Sequence, residues 1–376
     1  MKRLGIKPDL ALFLKKNIVM FIALFAAIIT CFFVPIDKEY ITYFDFKTLT
    51  CLFCTLAVVC ALKNIYFFQT VAKKIVCLFK NTRSAVLALI YITFIGSMLI
   101  ANDMALLTFL PLGYFVLDST NNKKLLSFTF IMQTVAANLG GMLTPFGNPQ
   151  NLYLYSYFSI PNMTFVKIML LPFLISVALI TCCCCMFVKK EALILQKNET
   201  NRMNNKKRMV IYLLLFVFSI AIVFRSIPYY WGLIIIPVAL FVLDRKALKM
   251  VDYPLLLTFC AFFVFSGNLA RIPVVNNLLG SLVNKNTLLF GVLSCQVISN
   301  VPSAILLSKF TNNFSQLLVA VNIGGAGTLI ASLASLITLK EYTKHEPTRV
   351  RSYIGLYSAC NFSILIILFV VMAFVM

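Results

Sequence analysis

Acidic side chains, histidine and tryptophan are scarce in this sequence: 376 residues contain 12 Asp and Glu, one His and one Trp. An enzyme buried in so apolar a chain would need His, Asp, Glu, Cys or Ser nucleophiles gathered at one depth. No such cluster is visible, so a membrane-embedded enzyme is the weakest of the available readings. Charge of either sign is short as well. Charged residues make up 12% of the chain against 61% hydrophobic, where about 25% charged is usual. A water-soluble domain of this length has a polar surface to fill and could not be this apolar, so lipid is the solvent. The apolar runs are continuous rather than alternating, which excludes a barrel and leaves membrane-spanning helices. The 12 cysteines lack metal-ligand spacing. Cys182 to Cys185 read as free thiols on a lipid-facing helix, with a metal or acylation site as the alternative. No small-residue cleavage site follows the first apolar run, residues 17–35, so it reads as a transmembrane helix and not a signal peptide.

What the chain has in excess is basic charge, 33 Lys and Arg, for a formal net charge of +21. In a soluble protein that would suggest nucleic acid. Here the basic residues lie in short loops between apolar runs and set orientation in the bilayer, so no nucleic-acid partner is expected. With the amino terminus in the cytoplasm, cytoplasmic segments collect 26 of the 33. The external ones are Lys38, Lys47, Lys167, Arg225, Arg271, Lys285 and Lys309. Arg225 and Arg271 fall at external helix ends, where snorkelling and anion attraction are both open. His345 lies in a charged loop and reads as solvated. The Lys-, Asn-, Ile- and Phe-rich composition suggests an AT-rich bacterial genome and hence a plasma membrane.

About 20 apolar residues make a spanning helix. On that ruler the chain divides into an amino-terminal tail and first helix (1–43), a first repeat (44–188), a polar cytoplasmic linker (189–208), connecting helices (209–243) and a second repeat (244–376). Residues 64–80 carry one apolar face interrupted by Lys73, Lys74 and Lys80, and read as a helix lying in the interface. Residues 84–117 are too short for two crossings and are interrupted at Asn102-Asp103, so they read as a re-entrant hairpin. Residues 281–310, interrupted at Ser299-Asn300, read as a second hairpin. If 287–310 crossed once instead, Lys340, Lys344, Arg349 and Arg351 would move outside, against the positive-inside bias. Segments 125–158 and 314–343 read as helices broken in mid-membrane. The expected fold is therefore an all-α polytopic membrane protein. It has two inverted repeats, about nine crossings, two hairpins and an external carboxyl terminus.

The inversion rests on a repeat. Val135-Ala-Ala-Asn138-Leu-Gly140-Gly141-Met-Leu-Thr144 matches Val319-Ala-Val-Asn322-Ile-Gly324-Gly325-Ala-Gly-Thr328 at six of ten positions, at a constant offset of 184. Beyond it, Asn148 faces Ser332 and Asn151 faces Ser335. Two unrelated glycine kinks at packing sites are the alternative, but motif, order and flanking hairpins agree. Inverted repeats are a common plan of secondary transporters, and suit alternating access better than a passive channel. A solute crossing at mid-membrane must exchange its water shell for protein dipoles. Broken helices supply free N–H groups for an anion and free C=O groups for a cation. Glycine admits close backbone approach, and Asn, Ser and Thr add neutral donors and acceptors. The candidate substrate-binding residues are Asn102, Asn138, Gly140, Gly141, Thr144, Asn148, Asn151, Ser299, Asn300, Asn322, Gly324, Gly325, Thr328 and Ser332. Asp103 is the one acid placed within the membrane, where a charge costs about 2.5–3.5 kcal/mol. It reads as the group that binds a coupling cation or carries a proton, together with Asn102 and Asn300, or else as a structural cap of the hairpin tip.

These motifs carry a resemblance. Residues 101–111 (Ala-Asn-Asp-Met-Ala-Leu-Leu-Thr-Phe-Leu-Pro) resemble the first hairpin tip of the ion transporter superfamily of arsenite efflux pumps, citrate–metal–proton symporters and divalent anion–sodium symporters. Residues 137–151, 299–303 and 322–332 are similar to its first break, second tip and second break. The likeness runs from about residue 45 to the carboxyl terminus. It implies a homodimer with a scaffold and a moving transport domain, elevator-like movement, and paired cation sites flanking one anion site. It also implies a small anionic substrate, a carboxylate such as citrate or an oxyanion such as arsenite, with Na⁺ or H⁺ as the coupling ion and no other cofactor or metal. A cation/proton antiporter of the same architecture is the alternative. Sodium-coupled members carry Ser-Asn-Thr at both tips. Here the tips read Ala101-Asn102-Asp103 and Ser299-Asn300-Val301, a departure that points towards the arsenite-pump and citrate–metal branches.

Overall fold

The computed structural model describes residues 17–76, 78–192 and 206–376. The basic tail (1–16) and most of the polar linker (189–208) lie outside the described residues. Within them the chain is helical, and the one β-type pairing is an isolated bridge between Asn81 and Ala192.

The helices are α1 Ile18–Cys31, α2 Phe46–Asn64, α3 Phe67–Val76, α4 Thr82–Ile100, α5 Asn102–Ser119, α6 Leu126–Gly140, α7 Pro149–Tyr157, α8 Asn162–Phe187 and α9 Lys206–Val223. They continue as α10 Tyr229–Leu243, α11 Arg245–Lys249, α12 Tyr253–Arg271, α13 Pro273–Lys285, α14 Thr287–Ile298, α15 Asn300–Leu307, α16 Phe314–Ile323, α17 Leu333–His345 and α18 Val350–Val375. By length and composition six helical stretches among the described residues can cross a membrane, or seven if the α13–α14 pair counts as one. Three further apolar helices, α1, α10 and α16, are shorter, with 14, 15 and 10 residues. The second hairpin also starts later than residue 281. Residues up to Lys285 belong to α13, which meets α14 at 117°.

The outer helices show why lipid is needed. In α8 the buried residues Phe165, Met169, Pro172, Ser176, Ile180 and Cys184 recur every three or four positions and form one face. The other faces expose Leu170, Leu174 and Met186, as α10 exposes Ile234, Val238 and Val242. Apolar surface so continuous is stable only against acyl chains. By contrast, α6 is buried on all sides from Thr129 to Gly140, and α16 from Leu317 to Ile323. Polar groups on these two inner helices must find partners in the protein, since an unpaired buried amide costs about 1–3 kcal/mol.

Both hairpins are built alike. Asn81 Oδ1 accepts from Ser84 N at 2.9 Å to start α4, and Asn286 Oδ1 accepts from Leu289 N at 2.8 Å to start α14. The α5 arm folds back on α4 with the Phe109 ring against Gly96. The α15 arm folds back on α14, with Ser294 Oγ 2.8 Å from Ser303 Oγ. Each turns on one residue in a conformation almost confined to glycine, Ala101 (φ 61°, ψ 150°) and Ser299 (φ 76°, ψ 160°). Such a backbone costs about 1–3 kcal/mol on a residue with a Cβ and persists only where the surroundings impose it.

Candidate functional site

The tips and the breaks meet by the same contacts in both halves. Tip positions correspond at an offset of 198 and break positions at 184. Ten of the 14 residues of mismatch fall in the second arm, 18 residues long in α5 and 8 in α15, and the other four in the helix before the break, which starts 12 residues ahead of Asn138 and 8 ahead of Asn322. Thr144 Oγ1 donates to the Met98 carbonyl at 2.8 Å, and Thr328 Oγ1 donates to the Gln296 carbonyl at 3.1 Å. Both donors and both acceptors are equivalent under those offsets. A Cβ placed on Gly140 would lie 2.6 Å from Ser97 Oγ, and one on Gly324 would lie 2.9 Å from the equivalent Cys295 Sγ. Glycine at these two positions therefore lets each break press against the first arm of its hairpin.

The two breaks then cross each other. Asn138 Nδ2 donates to the Gly325 carbonyl at 3.2 Å, while Asn138 Oδ1 accepts from Asn102 Nδ2 at 3.2 Å and Ser332 Oγ at 2.8 Å. Asn322 Nδ2 donates to Asn151 Oδ1 at 2.6 Å, and Asn322 Oδ1 accepts from Asn148 Nδ2 at 3.3 Å. Asn151 Nδ2 reaches the carbonyls of Gly141, Met142 and Thr144 at 3.1–3.3 Å. Apart from Asn148 Oδ1, which is buried with no partner, these carboxamides are paired with protein groups. They hold the irregular backbone in place, as buried non-helical chain at membrane depth requires.

In front of this network lies a cavity of about 30 Å³, space for about one water. Its lining includes Asn102 and Asp103 from the start of α5, Pro149 and Gln150 from the start of α7, Asn300 to Pro302 from the start of α15, and Ser332 and Leu333 at the start of α17. Ser299 adds the second tip, Thr258 and Leu255 come from α12, and Val19 comes from α1. Four helices thus turn their first residues to one space. Helix amino termini carry partial positive charge, so the space favours an anion, although the first-turn N–H groups of α15 are already paired, Asn300 N with the Ala331 carbonyl and Val301 N with Asn300 Oδ1. None of the lining residues is Lys, Arg or His.

The structure therefore brings Asn102, Asp103, Ser299, Asn300 and Ser332 to the cavity. It places Asn138, Asn148, Asn151 and Asn322 behind it. Gly140, Gly141, Thr144, Gly324, Gly325 and Thr328 do not line it and serve the joints between tip and break. Asp103 does not act as the cap. That task falls to Asn102, whose Oδ1 accepts from Asp103 N at 2.9 Å, matching Asn300 Oδ1 and Val301 N at 2.9 Å. Asp103 Oδ1 is buried with no hydrogen-bond partner. Gln150, absent from the sequence-based set, is 1% exposed and its Oε1 has no partner either. Its position after Pro149, in the first turn of a half-helix opening on the break, was the available signal.

The peripheral readings change as well. Arg271 does not snorkel. It pairs with Asp37 Oδ2 at 2.6 Å and Glu39 Oε2 at 3.3 Å, and donates to Tyr43 Oη at 3.0 Å. Arg225 donates to the Tyr155 carbonyl at 2.6 Å and covers the Tyr155 ring, capping the far end of α7. His345 is not free in a loop. It ends α17 and stacks on Tyr114 with ring centres 3.6 Å apart.

Residues 10–316 match the family described as citrate transporter. The chain belongs to the citrate transporter family. It is an integral membrane protein and a transporter by family. A Methanocaldococcus jannaschii protein named an uncharacterized transporter is 33% identical over 297 residues, 79% of this chain and 81% of its own length. The Escherichia coli inner membrane protein YbiR is 29% identical over 319 residues, 82% and 83% of the two chains. The match to this citrate transporter family extends through both tips and ends just before the second break.

Proposed function

We propose that this member of the citrate transporter family is a secondary active transporter of a small anion, coupled to protons or a cation. The candidate substrates are a carboxylate such as citrate and an oxyanion such as arsenite. The observation that carries the reading is the convergence of four helix amino termini, two from each half, on one cavity that also holds Asp103. The amino termini offer partial positive charge to the anion, and Asp103 offers a site for the coupling proton or cation. A space of about 30 Å³ is closed to a citrate-sized solute. Passage therefore needs movement of the hairpins and breaks against the α1–α2 and α9–α12 helices, an elevator-type alternation. The protein would work as a homodimer in a bacterial plasma membrane, amino terminus inside and carboxyl terminus outside.

The test is uptake into proteoliposomes of citrate and arsenite, with imposed H⁺ and Na⁺ gradients and without. Gradient-dependent uptake of either is the expected result. Uptake of neither anion under every gradient would sink the proposal. Asp103, whose Oδ1 is buried without a hydrogen-bond partner, favours a second reading, a cation/proton antiporter. Collapse of a pH gradient by Na⁺ with no anion present would select it.

A further inference from the structure

The cavity has two kinds of wall. One is the set of amino termini of α5, α7, α15 and α17, whose partial positive charge attracts an anion. The other is a pair of acceptors, Asp103 Oδ1 and Gln150 Oε1, both buried and both without a donor. The carboxamides of Asn102, Asn138 and Asn322 are tied up by protein partners, Asn102 to Asn138, Asn138 to Gly325 and Asn322 to Asn151, while Asn148, behind the cavity, leaves its Oδ1 without a donor. The hydroxyls beside it donate elsewhere, Ser299 Oγ to the Ala331 carbonyl at 3.2 Å and Thr258 Oγ1 to the Pro254 carbonyl at 2.7 Å. No side-chain donor of the lining hydrogen-bonds to either acceptor. An anion without an O–H would satisfy the amino termini and leave both acceptors unpaired.

We infer that Gln150 is a specificity-determining residue and that, with Asp103, it selects anions bearing a hydroxyl group over the same anions without one. The inference rests on the anion-transporter reading and narrows it to a substrate class. The ligand's carboxylate faces the helix amino termini, and its hydroxyl donates to Gln150 Oε1 or Asp103 Oδ1. Sites that hydrogen-bond a substrate hydroxyl reject the analogue lacking it far more strongly than apolar pockets reject a missing methylene, because buried polar groups are left unpaired. Gln150 suits this role because its backbone is fixed at the second position of α7, directly after Pro149. A metal centre is a poorer fit, since no group of three or more His, Cys, Asp or Glu capable of holding one is found among the described residues.

The experiment uses the full-length protein in detergent and measures apparent affinities from ligand-induced shifts in thermal unfolding. The probes are three pairs matched except for the hydroxyl: citrate and tricarballylate, malate and succinate, lactate and propionate. Wild type should favour the hydroxylated member of at least one pair by about tenfold or more. Gln150→Met, of similar shape without a strong acceptor, should shrink that ratio to about threefold or less while binding the hydroxyl-free member almost as wild type does. Gln150→Glu, which keeps an acceptor and adds repulsion, should weaken both members and preserve the ratio. Should Gln150→Met not fold, Gln150→Leu, which likewise removes the acceptor, is read in its place by the same ratio. An unchanged ratio in Gln150→Met, or equal binding of both members by wild type, overturns the inference and leaves the transporter reading standing. Stabilisation by Na⁺ alone that Gln150→Met abolishes also overturns it, in favour of a cation site. No stabilisation by any of the six anions overturns the inference together with the carboxylate form of the transporter reading.

Discussion

The two halves share a geometry and differ in what holds it. In the second half the break is tied to its own hairpin. Gln296, on the first arm, donates to the carbonyls of Gly324 at 2.9 Å and Ala326 at 3.2 Å and accepts from Thr328 N at 2.8 Å. The tip is tied to the same break, Asn300 N donating to the Ala331 carbonyl at 3.0 Å. In the first half the position equivalent to Gln296 is Met98, which has no such reach. The carbonyls of that break are instead held from the other side by Asn151, on α7. The tip reaches its break through a side-chain contact, Asn102 to Asn138. The tip is thus joined to its break through the backbone in the second half and through side chains in the first, where Gln133 Nε2 on α6 also donates to Thr93 Oγ1 at 2.9 Å and to the Phe109 carbonyl at 3.3 Å on the hairpin arms. The tips differ in chemistry as well: the first carries Asp103, where the second carries Val301.

The sharpest break in this comparison is at those tip positions. Asp103→Asn should lower gradient-driven uptake in proteoliposomes by about a factor of ten or more, the size expected for a functional intramembrane carboxyl. Val301→Ala should leave it within about twofold. Equal effects at the two would mean that the tips do the same work. Next in size is the tie that only the second half has. Gln296→Leu leaves buried backbone groups unsatisfied and should cost about 3 kcal/mol in detergent unfolding. Met98→Leu, its counterpart, should cost under about 1.5 kcal/mol.

A smaller effect is expected where the halves agree. Gly140→Ala and Gly324→Ala should each destabilise by about 1–3 kcal/mol, since both Cβ atoms meet backbone carbonyls, of Phe94 and Ala320, that have little freedom to move. If only one of them did so, the shared joint between break and hairpin would not be a real equivalence. The turns come after that. Ala101→Gly should raise stability by about 1 kcal/mol by relieving the strained backbone. Ser299→Gly should come out near zero, because it also loses the hydrogen bond to the Ala331 carbonyl.

The smallest effect lies outside both breaks. Arg271 holds the Asp37 carboxyl below its ordinary value of 3.8. The pair therefore stabilises the folded state fully above that value, and its contribution fades as the pH falls through the lowered one. Asp37→Asn should lower the unfolding temperature slightly at neutral pH and leave it unchanged in strong acid. A difference that grew on acidification would reverse the assignment.

The membrane class, the two interruptions and the paired breaks could be read from residue order, because each leaves a local mark. Lipid demands long apolar runs, and a helix interrupted inside one shows Asn, Gly or Pro where Leu would serve. Asn102, Ser299 and Ser332 stand at such marks and do line the cavity. Gln150, Gln296 and Arg225 do not advertise themselves. A single Gln in an apolar helix looks the same whether it braces a carbonyl or faces a ligand, and the partner of Arg225 is a carbonyl, which any residue provides. Asn138 and Asn322 look like ligand groups in the sequence. Only their neighbours, drawn from the opposite half, show that their hydrogen-bonding capacity is already taken up.

By itself the sequence determined that this chain lives in lipid, that it carries one motif twice, and that Asp103 is the acid the membrane must accommodate. These follow from solvent and chain-local geometry, which composition and spacing encode. The tertiary structure alone decided which polar groups remain unsatisfied once the halves interlock. Hydrogen bonds across about 180 residues of separation are settled by packing, and among the groups they leave over are Asp103 Oδ1 and Gln150 Oε1, on residues that line one cavity with four helix amino termini.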